Sequence, residues 1–393
     1  MRPIILISNF YSRILCNKPG VTLSVRRLIV PQSVKLNSIA MHEDMLTLVA
    51  ILALPLRAMA QEQYLMTFGG YDGIMVNPDL NPYDNRVTLL SLDPNVQIPE
   101  CLQALNSPSN IYLEGACMAV LLEDQPHVCA GRDAFSAYND KCYRYDPILD
   151  SWTESGTLTV PRLEFSGCAF SPAHGMVIAG GYGIDNAPPA TINTVEYTMH
   201  GSIFGKLPDL PQTLQSDCFV ALRGGDLLIA GGSDSCQNQN SGCVVSEKTY
   251  IYSDYGNMWN RVADMITPRD RLMCATVTTL DGSQEVVAAG GSDVVGVTSD
   301  VVEIFSVNTG IWRMANPLPS AIMEATAVPL KDCTEGSFLI VGGISGGKTS
   351  DLIYHYDVGS DSWELADAKL PIPVSGVAAT MVNSYIFPTC DKE

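Results

Sequence analysis

The sequence predicts an all-β fold assembled from repeated four-stranded antiparallel units. Three observations carry that prediction. Gly-Gly pairs close short apolar runs at residues 69–70, 180–181, 231–232, 290–291 and 342–343, with a degenerate Cys-Ala-Gly-Arg at 129–132. All four tryptophans, Trp152, Trp259, Trp312 and Trp363, follow such a site, by 22, 28, 22 and 21 residues. Seven residues before each tryptophan stands an aromatic: Tyr145, Tyr252, Phe305 and Tyr356. A fixed phase of this kind is the signature of a repeat array.

Each part of the unit has a physical reason. The runs YLMTF, GMVIA, DLLIA, EVVAA and SFLIV are short and apolar, as buried strands are, and the glycines that stop them tolerate positive φ. Counting from positions 69, 130, 180, 231, 290 and 342, the unit recurs at intervals of 61, 50, 51, 59 and 52 residues. The aromatic belongs to a third strand and the tryptophan opens a fourth, with a tight turn (DPILDS, DYGNM, NTGI or VGSDS) between them. That turn frees the two side chains from strict alternation, so both can pack against the next unit. Burying one Trp removes roughly 150–250 Å², worth at most about 4–6 kcal/mol. The third unit is expected to keep the rule with Tyr197 and Phe204; the first departs from it, with Leu92 and Pro99 at those positions. The run GVAATMV at 376–382 matches the innermost strands GACMAV, SGCAFS, SDCFVAL and LMCATV of other units, and the first unit lacks such a strand. The C-terminal strand is therefore expected to complete unit one. Residues 384–388, SYIFP, are left over as a competitor to Tyr64–Phe68 for the second strand.

The combination of apolar run, Gly-Gly, variable loop, VEIFSVNTGIW or IYHYDVGSDSW, and then LPxP resembles the Kelch repeat, in six units over about residues 61–388. That resemblance implies a six-bladed Kelch-type β-propeller, one four-stranded sheet per blade. A C-terminal strand completing blade one would close the ring and leave no free sheet edge.

Ahead of the repeats lie a basic extension, 1–44, and an apolar stretch, Leu46–Leu56, followed by Ala58-Met59-Ala60. An apolar core of that length ending in A-x-A reads as a signal peptide over 45–60, cut before Gln61. It is short for a membrane span. The expectation is a secreted chain, with a membrane-tethering signal anchor as the alternative, then the repeats over 61–388 and a tail at 389–393. Residues 61–393 carry 16 basic and 40 acidic residues, a formal charge of −24, which disfavours nucleic acid and anionic lipid. The expected partner is an extracellular protein or glycan, bound by a monomer without stable membrane insertion.

Eleven of the 12 cysteines follow Gln61, a load that suits an oxidising compartment. Cys236 and Cys243 enclose a six-residue polar loop, and a disulfide there would contribute about 2–3 kcal/mol. Cys129 and Cys142 flank a loop between second and third strands and form a second candidate pair. Cys117, Cys168, Cys218 and Cys274 share one phase of the inner strands, where packing, or pairing with neighbouring loops, is favoured over a metal ring.

Kelch-type propellers include enzymes and binding platforms, so the fold alone decides nothing. The copper site of galactose oxidase draws on two His, two Tyr and a cross-linked Cys. Here His127, His174, His200 and His355 are scattered over the repeats and form no such set. Asp351 and His355 match the last two members of the E-x3-D-x3-H run of iron-dependent specifier proteins, but position 347 is Gly. No metal, cofactor or catalytic residue is assigned. The functional reading is a non-enzymatic binding module using rim loops; the alternative is a propeller enzyme acting on sugars, an epimerase or diverged oxidase. Arg132, Arg162, Arg269 and Arg271 stand out in an acidic body and are expected to converge on a carboxylate-bearing ligand. Asp72, Asp133, Asp234 and Asp293 follow the Gly-Gly sites, where Ca²⁺ binding competes with ordinary turn capping.

Overall fold

A computed structural model of the chain describes residues 63–72, 86–103, 105–107, 115–120, 124–131, 138–163, 168–185, 189–236, 242–279, 281–330 and 336–388. The extension, the signal stretch and the tail at 389–393 lie outside them. All regular structure in these residues is β apart from short 3-10 turns, as the repeat predicts. No helix among them is long and apolar enough to cross a membrane.

Sheet one is Val87–Ser91, Gln63–Phe68 and Ala378–Asn383, so the C-terminal strand does pair with the first Gly-Gly strand. Sheet two runs from inner strand Cys117–Val120 through Pro126–Cys129 and Lys141–Asp146 to Ser151–Thr157. Sheets three to six have the same antiparallel order and start from inner strands Cys168–Ser171, Cys218–Ala221, Met273–Thr278 and Thr326–Pro329. Successive inner strands touch in cyclic order, sheet six touching sheet one and sheet one touching sheet two. An apolar cluster fills every interface of that cycle. This is the order that a ring of blades requires.

The Gly-Gly sites explain how neighbouring sheets meet. The second glycine donates its N–H to a carbonyl of the linker into the next sheet: Gly181 to Leu214 at 2.7 Å, Gly232 to Arg269 at 2.9 Å, Gly291 to Ile322 and Gly343 to Val374 at 2.8 Å. Gly131, in the degenerate site, does the same to Arg162 at 3.1 Å. The first glycine must let that linker come close. A Cβ on Gly290 would lie 2.3 Å from the Ile322 oxygen, and φ there is 63°. Both facts exclude a side chain at low cost. The degenerate site carries the cost openly, with Ala130 at φ 60°.

The seven-residue spacing resolves into a hairpin contact. Tyr145 lies directly opposite Trp152, Tyr252 opposite Trp259, Phe305 opposite Trp312 and Tyr356 opposite Trp363. Ring centroids are 5.0, 5.5, 5.2 and 4.6 Å apart, within the range of favourable aromatic pairs. Each indole N–H then reaches the loop that follows the preceding sheet: Asn106 O at 3.0 Å, Pro208 O at 2.9 Å, Ala263 O at 3.1 Å and Asn316 O at 3.2 Å. In sheets two and six the tyrosine hydroxyl donates to a turn aspartate, Asp150 at 2.7 Å and Asp361 at 2.8 Å. The same aspartates accept the backbone N–H of Asn106 and Asn316. Where the aromatic is Phe305, the turn position is Gly310.

Two expectations are corrected. Tyr197 lies opposite Gly205, not Phe204, because the hairpin of sheet three holds one more residue than the others. Residues 384–388 do not compete for the second strand. They form a 3-10 turn that lodges Phe387 against Tyr64 and Tyr145, filling the seam between sheets one and two.

Disulfides join Cys129 to Cys142 and Cys236 to Cys243. A third joins Cys218 to Cys274, across sheets four and five, and Cys101 and Cys117 are disulfide-bonded as well. Cys117, Cys218 and Cys274 are therefore not simple packing residues. Cys218 pairs in register with Ala230, one residue before a Gly-Gly, whereas Cys274 pairs with Ala288, two before. That shift of one residue turns Cys274 to the opposite face of its strand, towards Cys218.

Replacing Tyr356 or Tyr145 by Phe is expected to lower unfolding free energy by about 1 kcal/mol in a urea titration, the net worth of one hydrogen bond. Phe305→Tyr should bring no gain, since Gly310 offers its hydroxyl no side-chain acceptor.

Candidate functional site: the channel mouth

The inner strands of the sheets begin around one opening. Two residues before five of the six inner strands, the chain is left-handed: Gly115 (φ 62°), Ser216 (54°), Arg271 (53°), Glu324 (55°) and Gly376 (59°). In that conformation four of these N–H groups donate to the carbonyl of their counterpart in the preceding sheet. Arg271 donates to Ser216 at 2.7 Å, Glu324 to Arg271 at 3.1 Å, Gly376 to Glu324 at 2.9 Å and Gly115 to Gly376 at 3.1 Å. A chain of backbone bonds thus runs round the mouth. At three of the five positions a side chain occupies a conformation that costs roughly 1–2 kcal/mol for an L-residue.

A cavity of about 210 Å³ opens there, lined by Asp217, Arg271, Cys274 and Glu324 with Met118 and Phe219. Arg271 Nε lies 3.4 Å from Glu324 Oε1, and both side chains are partly exposed, at 23% and 32%. Asp217, by contrast, is buried. The mouth therefore offers a guanidinium, a carboxylate and an apolar wall within one opening. Among the described residues no group of three His, Cys, Asp or Glu is arranged to hold a metal ion.

Of the four arginines expected to converge, Arg271 alone is found at this mouth; Arg132 and Asp133 lie outside the described residues. Arg162 and Arg269 are buried, at 0% and 1% exposure, and cannot reach a ligand. Each follows a proline in a linker and inserts into the next sheet. Arg162 donates to the Gly180 and Thr194 carbonyls at 3.0 Å and to Glu196 Oε1 at 2.6 Å. Arg269 donates to the Gly290 carbonyl at 2.6 Å, the Val301 carbonyl at 2.8 Å and Glu303 Oε1 at 3.1 Å. The partner carboxylates also accept Thr159 and Thr267 from the end of the preceding sheet. These are clamps between sheets. They satisfy the carbonyls that the Gly-Gly turns turn inward.

The aspartates behave as turn and loop residues. Asp293 accepts the N–H groups of Val295 and Val297 at 2.9 Å, and Asp234 accepts Thr213 Oγ1. The Asp72 carbonyl accepts Thr349 Oγ1 at 3.0 Å. Sequence reasoning missed Glu324 and Asp217. Their signal was available as position, just ahead of the inner strands, where Gly115 and Gly376 already mark the left-handed phase.

No family model matches the chain. It is similar to a human protein named Kelch repeat and BTB domain-containing protein 12, 24% identical over 66% of this chain and 43% of that protein. It is also similar to an F-box/kelch-repeat protein of Arabidopsis thaliana, 26% identical over 42% of this chain and 41% of that protein. The chain thus spans about two-fifths of the length of these curated relatives. The Kelch resemblance read from the repeats is shared with named Kelch proteins.

Arg269→Ala is expected to destabilise the protein by about 3–5 kcal/mol, because Glu303 is left buried without its cation. Arg269→Met combined with Glu303→Leu should recover most of that loss in the same denaturation measurement.

Proposed function

We propose that this chain is a secreted, non-enzymatic binding module that receives a protein partner at the channel mouth. One observation carries the reading: Arg271 and Glu324 are held left-handed, at a conformational cost, with charged ends partly exposed over a central cavity. Backbone strain of this kind persists where the surroundings impose it, and it gathers at functional sites. An ion pair with exposed flanks suits a partner that presents its own carboxylate to Arg271, or its own cation to Glu324. The acidic body disfavours polyanionic partners. Secretion is supported by the apolar stretch ending in A-x-A and by the three disulfides between described cysteines.

The test is cross-linking mass spectrometry of the tagged, mature chain in conditioned medium, followed by affinity measurement with the partner so identified. Cross-links should fall on the mouth, and Arg271→Ala should weaken binding about tenfold or more without lowering the melting temperature. Cross-links confined to the outer strands, or an Arg271→Ala variant that binds like the parent, would sink the proposal.

A further inference from the structure

A second cavity, of about 360 Å³, lies away from the mouth, where the outer strands of sheet two meet the turn after Val195–Thr198 of sheet three. Its lining is polar: Gln125, His127, Arg144, Glu154, Ser155 and His200, with Thr153 and Ser202 at the edge. Three features of the chain build it. Cys142 pairs with Gly156 but Tyr143 with Glu154, so Ser155 is the extra residue of a β-bulge. Bulges re-aim side chains and recur beside binding sites. Gly156 and Gly201 allow the two sheets to close tightly: a Cβ on Gly156 would lie 2.4 Å from the Gly201 carbonyl, and one on Gly201 would strike the His127 ring. His127 is 1% exposed, and its Nδ1 lies 2.9 Å from the Gln125 carbonyl.

A carbonyl only accepts, so Nδ1 carries the proton and Nε2 keeps its lone pair. Burial holds His127 below the ordinary imidazole range, and nearby Arg144 acts in the same direction, so the ring stays neutral near pH 7. Its Nε2 and the Ser155 Oγ, both buried, make no hydrogen bond among the described residues. Buried polar atoms are seldom left in that state.

We propose that this cavity binds a small neutral polyhydroxyl ligand, a polyol or a single sugar ring. The lining dictates that class. A ligand hydroxyl can donate to His127 Nε2 or Glu154 and accept from Arg144, while Ser155, Thr153 and Ser202 serve in either sense. Glu154 Oε1 is already paired with Lys141 Nζ at 2.9 Å, which leaves the other carboxylate oxygen to accept from a hydroxyl. An anion would face a lone pair and a carboxylate; a metal cation would face Arg144. The volume sits at the small end of ligand pockets, too small for a peptide.

The test uses the full chain titrated with myo-inositol, D-galactose and D-glucose, followed by imidazole nitrogen NMR. At least one should bind saturably and shift the His127 Nε2 resonance, and Ser155→Val should weaken that binding about tenfold. Ser155 is a bulge residue, so this variant is expected to keep the parent melting temperature; His127→Gln is the second variant. Arg271→Ala should leave the titration unchanged. No saturable shift with any of the three, a shift indifferent to both pocket variants, or zinc chloride displacing all three would overturn the proposal.

Discussion

The hydrogen bond from the second residue of the Gly-Gly site to the linker into the next sheet, made at Gly131, Gly181, Gly232, Gly291 and Gly343, sets the terms for the rest of the molecule. It requires two successive left-handed residues at the end of the second strand and a carbonyl brought within a Cβ radius of the first. Once that contact is made, the inner strand of the following sheet has to start beside its neighbour. The indole staple then ties the outer edge of one sheet to the loop of the sheet before it. The two contacts act at opposite radii. One fixes the hub, the other the rim, and the apolar clusters between them are left with a wedge of set shape to fill.

The buried arginines follow from the same constraint. Turning two residues left-handed leaves carbonyls pointing into the seam, and a buried carbonyl needs a donor. Arg162 and Arg269 supply five N–H groups at one place, which no shorter side chain does. Their charge then has to be met, and Glu196 and Glu303 meet it from the next sheet. Tyr250, which stands at the corresponding register in sheet four, offers no carboxylate, and no arginine enters from the linker before it. Clamp and carboxylate come together or not at all.

Much of this was legible in the residues. Glycine pairs and tryptophans are read directly because nothing else does their work: one needs the absence of a Cβ, the other a large ring with a donor at its edge. The pairing of the C-terminal strand with sheet one was legible because that strand matched other inner strands and sheet one lacked its own. Arginine was misread because a scarce cation in an acidic chain looks like a ligand reader, and burial cannot be seen in a single residue type. The proline before each arginine was the available clue, since it fixes the linker that drives the side chain inward. Cys274 was misplaced by one residue, the smallest error that reverses the face of a strand. Glu324 was invisible because its conformation, not its chemistry, makes it unusual.

That last point separates scaffold from site. Around the mouth, the bonds that join sheet to sheet run from backbone N–H to backbone carbonyl, so they place no demand on the side chain beyond tolerance of a left-handed φ. Glycine meets that demand at no cost, and at Gly115 and Gly376 the chain uses it. Serine, arginine and glutamate at the equivalent positions each cost about 1 kcal/mol or more against glycine. Nothing in that chain of bonds repays the difference, because the same bonds form with glycine. The Arg271–Glu324 contact, partly exposed, returns little. The side chains must therefore be judged by what they present to the opening, where the scaffold leaves their identity free. The same reasoning runs in reverse at the Gly-Gly sites, where every neighbour constrains the residue and little is left for function to choose.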